Sequence, residues 1–302
     1  LLYTAMNLSS MPYPGKKSPS CQDSFSTDDP VRIGKISYIN DAPVYYGLDH
    51  GLLPDWMEMV PDVPSVLNRQ IVSGQIQISP ISAAFYAQHH QSLLLLPDLS
   101  ISCNGRVLSV ILASHYPMAE LSGRRVRFTQ ESASAAAFLK MIFSREGISP
   151  DYEIGAVDDC QRLLKAVDAV LVIGDTALVQ PWAGTFKHCY DLGQVWHDMT
   201  GLPFVFAVWA VRKQFALQYP ECTAEIHRLL LASRAEGDRH MDEIVSAAQT
   251  ATGLSAKQIQ AYFDLLYCDL DAPKKKAMEI FFTSLCDQGI LKEKPAILFF
   301  KP

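Results

Sequence analysis

Twice within about sixty residues, an apolar run stops at a short polar side chain, meets a proline, and resumes with apolar residues at helical spacing. The first case is 33–48, IGKISYINDAPVYYGL, where Ile33 and Ile36 lead to Asn40-Asp41 and Pro43 bars continuation as a central strand. The pattern delivers Asn40 to the carboxyl end of a strand and opens a helix carrying Val44, Tyr45 and Leu48. Ligands of open α/β sheets sit at that edge; capping of the new helix is the competing role for Asn40. In the second case, a helix from Pro64 stops at Gly74, residues 75–79 alternate as a strand, and Pro80-Ile81-Ser82 starts the next helix. Strand and helix alternating in this way predict a parallel sheet.

The same order recurs downstream. Residues 126–129 form a strand that runs into Thr129-Gln130-Glu131-Ser132-Ala133-Ser134, the start of an alanine-rich helix. Free amides at a helix start, joined by the hydroxyls of Ser132 and Ser134, make a carboxylate site that needs no Arg or Lys. Either serine would equally serve as an ordinary N-cap. Residues 107–114 read as a strand with one polar position, Ser109, and 168–178, DAVLVIGDTAL, as a buried strand ending at Gly174-Asp175. Asp175 there orients a substrate hydroxyl or caps the helix that follows. Residues 191–203 read as a loop, 204–211 as a strand apolar on both faces, and 224–237, 239–250, 255–266 and 273–288 as helices.

Two sets of βα units with extended crossings near 107–114 and 204–211 predict an α/β fold of two lobes joined by a double hinge. Residues 31–108 and 209–302 make the first lobe and 109–208 the second, with 1–30 a poorly ordered leader. The ligand belongs in the cleft between lobes.

A length of 302 residues suits two such lobes. The net charge of -6 supplies no basic field, so neither nucleic acid nor an anionic membrane is an expected partner, and a bound anion must be held by local devices. The longest apolar run, 202–211, is far shorter than the ~20 residues of a membrane span. Seven scattered cysteines without a C-x-x-C pair argue against a disulfide framework or structural zinc and toward a reducing cytoplasm. Nucleophile-elbow, Walker, H-E-x-x-H and G-x-G-x-x-G patterns are absent. His89-His90 reads as solvated surface, Glu131 as a first-turn helix carboxylate, and Trp182, Trp196 and Trp209 as core or cleft wall. These residues describe a binder of small anions and leave open whether it does chemistry.

Four blocks, RIGKISYIN, LLLLPDLSIS followed by NGRVLSV, VLVIGDTAL, and DLGQVWHDMTGLPFVFAVWA, resemble the chorismate dehydratases of the futalosine route to menaquinone, in that family's order and over roughly 31–290. The resemblance implies a type II periplasmic-binding-protein fold in a cytoplasmic enzyme. It also implies a carbon–oxygen lyase that converts chorismate, a small dicarboxylate, to 3-[(1-carboxyvinyl)oxy]benzoate and water, with neither metal nor organic cofactor. A catalytic role for Asn40 and substrate contacts from Ser82, Ser109, Ser132 and Ser134 come with it. Two positions depart from the family's pattern: Ala135 stands where relatives often carry a further Ser or Thr, and Phe85 where an acidic residue precedes the Tyr-Ala pair. The first removes one hydrogen bond to a carboxylate.

Three other readings compete. A solute-binding protein would carry a secretory leader, which residues 1–30 do not resemble. The sister enzyme dihydroxynaphthoate synthase shares the Asn-Asp pair and TGLP, but its catalytic His region has no counterpart near 129–134. A DNA-binding regulator's effector domain would follow a helix-turn-helix.

Overall fold

The computed structural model describes residues 21–129 and 133–301, and its strands form two sheets. The first, ordered β11-β4-β10-β3-β1-β2, joins β1 (Val31–Ile36), β2 (Met57–Asp62), β3 (Ile78–Ser82) and β4 (Leu93–Cys103) to β10 (Phe204–Arg212) and β11 (Leu266–Tyr267). The second, ordered β7-β6-β8-β5-β9, contains β5 (Val110–Ser114), β6 (Arg125–Phe128), β7 (Asp151–Ile154), β8 (Ala169–Ile173) and β9 (His188–Asp191). β1 runs parallel to β2 and β3, and β6 parallel to β7 and β8, as the repeated strand-helix order requires. The fold is therefore two-lobed, with a discontinuous first lobe closed by C-terminal helices.

Neither strand expected to cross between the lobes does so. β5 pairs with β8 and β9, and β10 pairs with β3 and β4 from Phe204 onward. Each strand thus has its backbone groups paired within a single sheet. The crossings fall just ahead of these strands, in 104–109 and 192–203. β3 begins at Ile78 rather than Gln75, and all five of its residues are buried, because a strand enclosed on both faces needs no alternation. β4 runs unbroken from Leu93 through Cys103.

Residues 192–200, expected as loop, form the helix Leu192–Thr200. Asp191 accepts the Gln194 N–H at 3.2 Å, and Gly201, at φ 67°, ends the helix with its N–H on the His197 carbonyl at 2.7 Å. Its buried Trp196 meets Phe138, Phe204 and Phe281 with ring centroids 5.2 to 5.9 Å apart, tying both lobes to the C-terminal helix Ala272–Asp287. Trp182 and Trp209 are also core residues, exposed by 2% and 0%.

Two expectations about the start of the chain are corrected within the described residues. Residues 21–30 pack on the first lobe: Phe25 lies 5.9 Å from Phe215 and 5.0 Å from Tyr219, centroid to centroid. Residues 1–20 lie outside the described residues. Cys21 is joined by a disulfide to Cys222 at the start of the helix Pro220–Arg239, 201 positions away, a pairing that local cysteine spacing does not reveal. Bridging so long a loop contributes roughly 2–4 kcal/mol. Cys21→Ser is expected to lower Tm by about 5 °C, and reductant should shift the wild-type melting curve similarly while leaving the variant's unchanged.

Candidate active site

Ile36, Ser82 and Ile173, the last residues of β1, β3 and β8, open onto one cleft between the lobes. Asn40, Pro64 and Gly174 reach it from helix starts, Ser109 from the hinge, and Phe206 from β10. None of its described lining residues is charged. Among the described lining residues, the groups offered to an anion are N–H groups at helix starts, hydroxyls and the Asn40 amide. Among the described residues, no group of three or more His, Cys, Asp or Glu side chains is placed to hold a metal ion, and no helix is long and apolar enough to cross a membrane.

Asn40 lies in the short turn Ile39–Asp41, and its Oδ1 is buried without a hydrogen-bond partner among the described residues. It does not cap the helix Ala42–Gly47, whose N-cap residue is Asp41. An orphaned buried acceptor costs about 1–3 kcal/mol, which a substrate hydroxyl would offset by donating to it. Asp41, 1% exposed, accepts the Ile36 N–H at 2.8 Å and folds the turn back onto β1. Burial raises the Asp41 pKa well above the ordinary carboxylate range, with nearby Lys35 opposing the shift.

Ser82 accepts the Phe85 N–H at 3.2 Å as the N-cap of the helix Ala83–His89 and still faces the cleft. Ser109 follows Leu108, which is held at φ 62°, a conformation costing roughly 1–3 kcal/mol for a residue with a side chain. Asp191 holds that turn by accepting the Val107 and Leu108 N–H groups at 3.0 and 2.8 Å. Gly174 donates its N–H to the Ser109 carbonyl at 2.8 Å, fixing the hinge residue against the second lobe.

Two of the expected substrate contacts are placed otherwise. Ser134 is 1% exposed and absent from the cleft wall; it donates to the Phe206 carbonyl at 2.9 Å and accepts the Ala84 N–H at 3.0 Å. Its hydroxyl braces the helix Ala133–Arg145 against its neighbours. Asp175 neither lines the cleft nor caps its helix. It accepts the Ile39 N–H at 3.2 Å, linking the second lobe to the turn that carries Asn40. Ser132 and Glu131 lie outside the described residues. His89 and His90, at the end of their helix, stand away from the cleft wall.

Burial pushes the Asp175 carboxyl up to about 6, with the Ile39 N–H pulling the other way. A raised carboxyl pKa means that the folded chain binds this proton more tightly than the unfolded one. The ionised group thus costs stability above pH 6, a cost that fades as pH falls through 6 toward 4. Asp175→Asn keeps an acceptor for Ile39 and removes the charge. It is expected to raise Tm by about 2–4 °C at pH 7.5, roughly 1 kcal/mol, with the gain shrinking toward pH 5. Melting curves across that range check the sign.

Tyr38, Gly174 and Phe206 also line the cleft; Tyr38 precedes Asn40 by two positions and Gly174 adjoins Asp175, while Phe206 lies inside an apolar strand that gives no signal of it. Gly174 is at φ 64°, and a Cβ there would lie 2.9 Å from the Tyr38 ring across the cleft.

A family model described as menaquinone biosynthesis matches residues 31–286. The chorismate dehydratase of Thermus thermophilus is 33% identical over 271 residues, covering 85% of this chain and 95% of that protein. That of Campylobacter jejuni is 27% identical over 260 residues, 82% of this chain and 95% of that one. Among solved structures, a protein from Archaeoglobus fulgidus superposes with a TM-score of 0.71 at 19% identity, covering 86% of this chain and 98% of its own. The alkanesulfonate-binding protein SsuA of Xanthomonas axonopodis pv. citri, bound to MOPS, gives 0.62 at 14%, covering 94% and 98%. These two similarities establish the periplasmic-binding-protein fold. Extent of match and level of identity together show that this chain belongs to the menaquinone-biosynthesis family that includes the chorismate dehydratases.

Proposed function

We propose that this protein is a chorismate dehydratase, a hydro-lyase that converts chorismate to 3-[(1-carboxyvinyl)oxy]benzoate and water. The observation that carries the reading is Asn40, an amide whose buried oxygen has no hydrogen-bond partner among the described residues, in a cleft whose described wall offers hydroxyls and helix starts but no charged side chain. Chorismate carries two carboxylates and one ring hydroxyl. Helix-start amides with Ser82 and Ser109 suit the first, and Asn40 the second.

The reaction removes the C4 hydroxyl and the hydrogen of the ether-bearing ring carbon, and the ring becomes aromatic. A neutral amide is no base for that C–H. The proton passes instead to a carboxylate, for which the substrate's own enolpyruvyl group stands nearest by connectivity. The electron pair of the C–H bond enters the ring as the C4–O bond breaks. Asn40 orients the hydroxyl through Oδ1 and stabilises the departing oxygen through its N–H groups, and the transferred proton completes the water. Closure of the lobes excludes solvent and strengthens these contacts. The reading places the enzyme in the cytoplasm, where alkylation of freshly lysed cells would report whether Cys21 and Cys222 are joined.

Incubation of the purified protein with chorismate in chelator tests the reaction. The expected result is catalytic loss of one water with appearance of a benzoate chromophore. Stoichiometric binding without turnover would favour a solute-binding role and overturn the reading.

A further inference from the structure

The cleft serine at the hinge has a partner from a distant part of the chain. Tyr262, in the helix Ala256–Phe263 of the C-terminal tail, is 2% exposed, and its hydroxyl donates to Ser109 Oγ at 3.0 Å. The backbone around Ser109 is fixed on both sides, by Asp191 under Val107 and Leu108 and by the Gly174 N–H on the Ser109 carbonyl. The rotation of the Ser109 O–H is the freedom that remains.

We propose that Tyr262 is a positioning residue for dehydration, setting the direction and strength of the Ser109 hydroxyl as a donor to the substrate. A hydroxyl has one hydrogen to give. While Ser109 Oγ accepts from the phenol, its own hydrogen points away from Tyr262, toward the cleft side on which an anionic substrate sits. Accepting one hydrogen bond also polarises Ser109 for donating the next. Burial raises the Tyr262 pKa, so the phenol stays protonated through the working range and keeps its role as donor.

The packing explains why this tyrosine can act across such a sequence distance. Tyr262, Ile259 and Phe263 share an apolar cluster with Ile39 and Tyr46, and Leu108 and Leu178 pack against it. Ile39 adjoins Asn40 and Leu108 adjoins Ser109. The tail helix therefore rests on both residues that flank the reacting groups.

The inference depends on Ser109 meeting the substrate, as the proposed function has it, and a double-mutant cycle tests the two separately. Wild type, Tyr262→Phe, Ser109→Ala and the double variant are compared for kcat, KM and Tm with chorismate. Tyr262→Phe keeps the ring and should lower kcat/KM by about 10- to 100-fold, within a range expected for weakening one positioned donor. In the Ser109→Ala background the same change should cost less than about threefold, because the hydroxyl on which it acts is gone. Losses that multiply, an unaffected Tyr262→Phe, or an unaffected Ser109→Ala overturn the proposal while wild-type turnover preserves the proposed function. A wild type inert toward chorismate overturns both. Should Tyr262→Phe be isolated unfolded, 3-fluorotyrosine at position 262 alters donor strength at nearly constant size. A kcat/KM shift that Ser109→Ala abolishes supports the proposal; an absent or persisting shift overturns it.

Discussion

Asn40→Ala is expected to lower kcat for chorismate by about 10³-fold, roughly 4 kcal/mol of transition-state stabilisation, while KM changes by less than about tenfold. The split follows from where the side chain acts. On the proposed function, chorismate is held chiefly through its carboxylates, by helix starts and serines that the substitution leaves alone. There Asn40 meets the hydroxyl that leaves, so its contribution grows as the C4–O bond lengthens. Removing the amide also removes the orphaned acceptor, and the variant should melt no lower than wild type. Asn40→Asp is the sharper control: similar in shape, it brings a negative charge into a cleft whose described wall has no positive side chain to offset it, and it should raise KM as well. Wild-type kcat in Asn40→Ala would contradict the assignment.

Gly174→Ala carries the second large effect. At φ 64° a side chain costs roughly 1–2 kcal/mol, and the new methyl would stand 2.9 Å from two atoms of the Tyr38 ring. Tyr38 lies on the Asn40 segment and Gly174 on the second lobe, so relief comes from moving the ring or parting the lobes. Either disturbs the hinge contact from the Gly174 N–H to the Ser109 carbonyl. The expected outcome is a 10- to 100-fold loss of kcat/KM, the scale of misplaced substrate contacts, together with a Tm lower by a few degrees. Combining the change with Tyr38→Ala should restore part of the activity but little of the stability, since the clash is relieved and the backbone strain is not. Equal activity for wild type and Gly174→Ala would show that the cleft tolerates the methyl.

What the sequence discloses here is largely local. Asn40, Ser82 and Gly174 all stand where apolar runs end, so the strand-to-helix junctions were legible and with them the parallel strands and the edge that holds the cleft. The Leu192–Thr200 helix was legible in principle, through Asp191 at its start and Gly201 at its end, but nine residues of amphipathic helix between two strands also read as a loop. Other features depend on contacts between remote segments. Ser134 has the composition of a carboxylate contact, yet its hydroxyl is consumed by Ala84 and Phe206. Asp175 reads as a substrate contact or a cap, and the N–H that it accepts belongs to Ile39, 136 positions earlier. The Cys21–Cys222 pair and the Tyr262–Ser109 bond, separated by 201 and 153 positions, leave no periodic or spacing signal at all.

The proposed function requires a substrate gripped by neutral groups at the edge where β1, β3 and β8 end. A crystal structure with 3-hydroxybenzoate, a stand-in for the product's ring and carboxylate, tests that placement most directly. The predicted density lies between Ser82, Ser109 and Asn40, with the carboxylate on a helix start or serine hydroxyl and the Asn40 amide within hydrogen-bonding distance of the ligand. Density confined to another surface, such as the groove beside Tyr46 and Glu243, with the cleft holding only solvent, would contradict it.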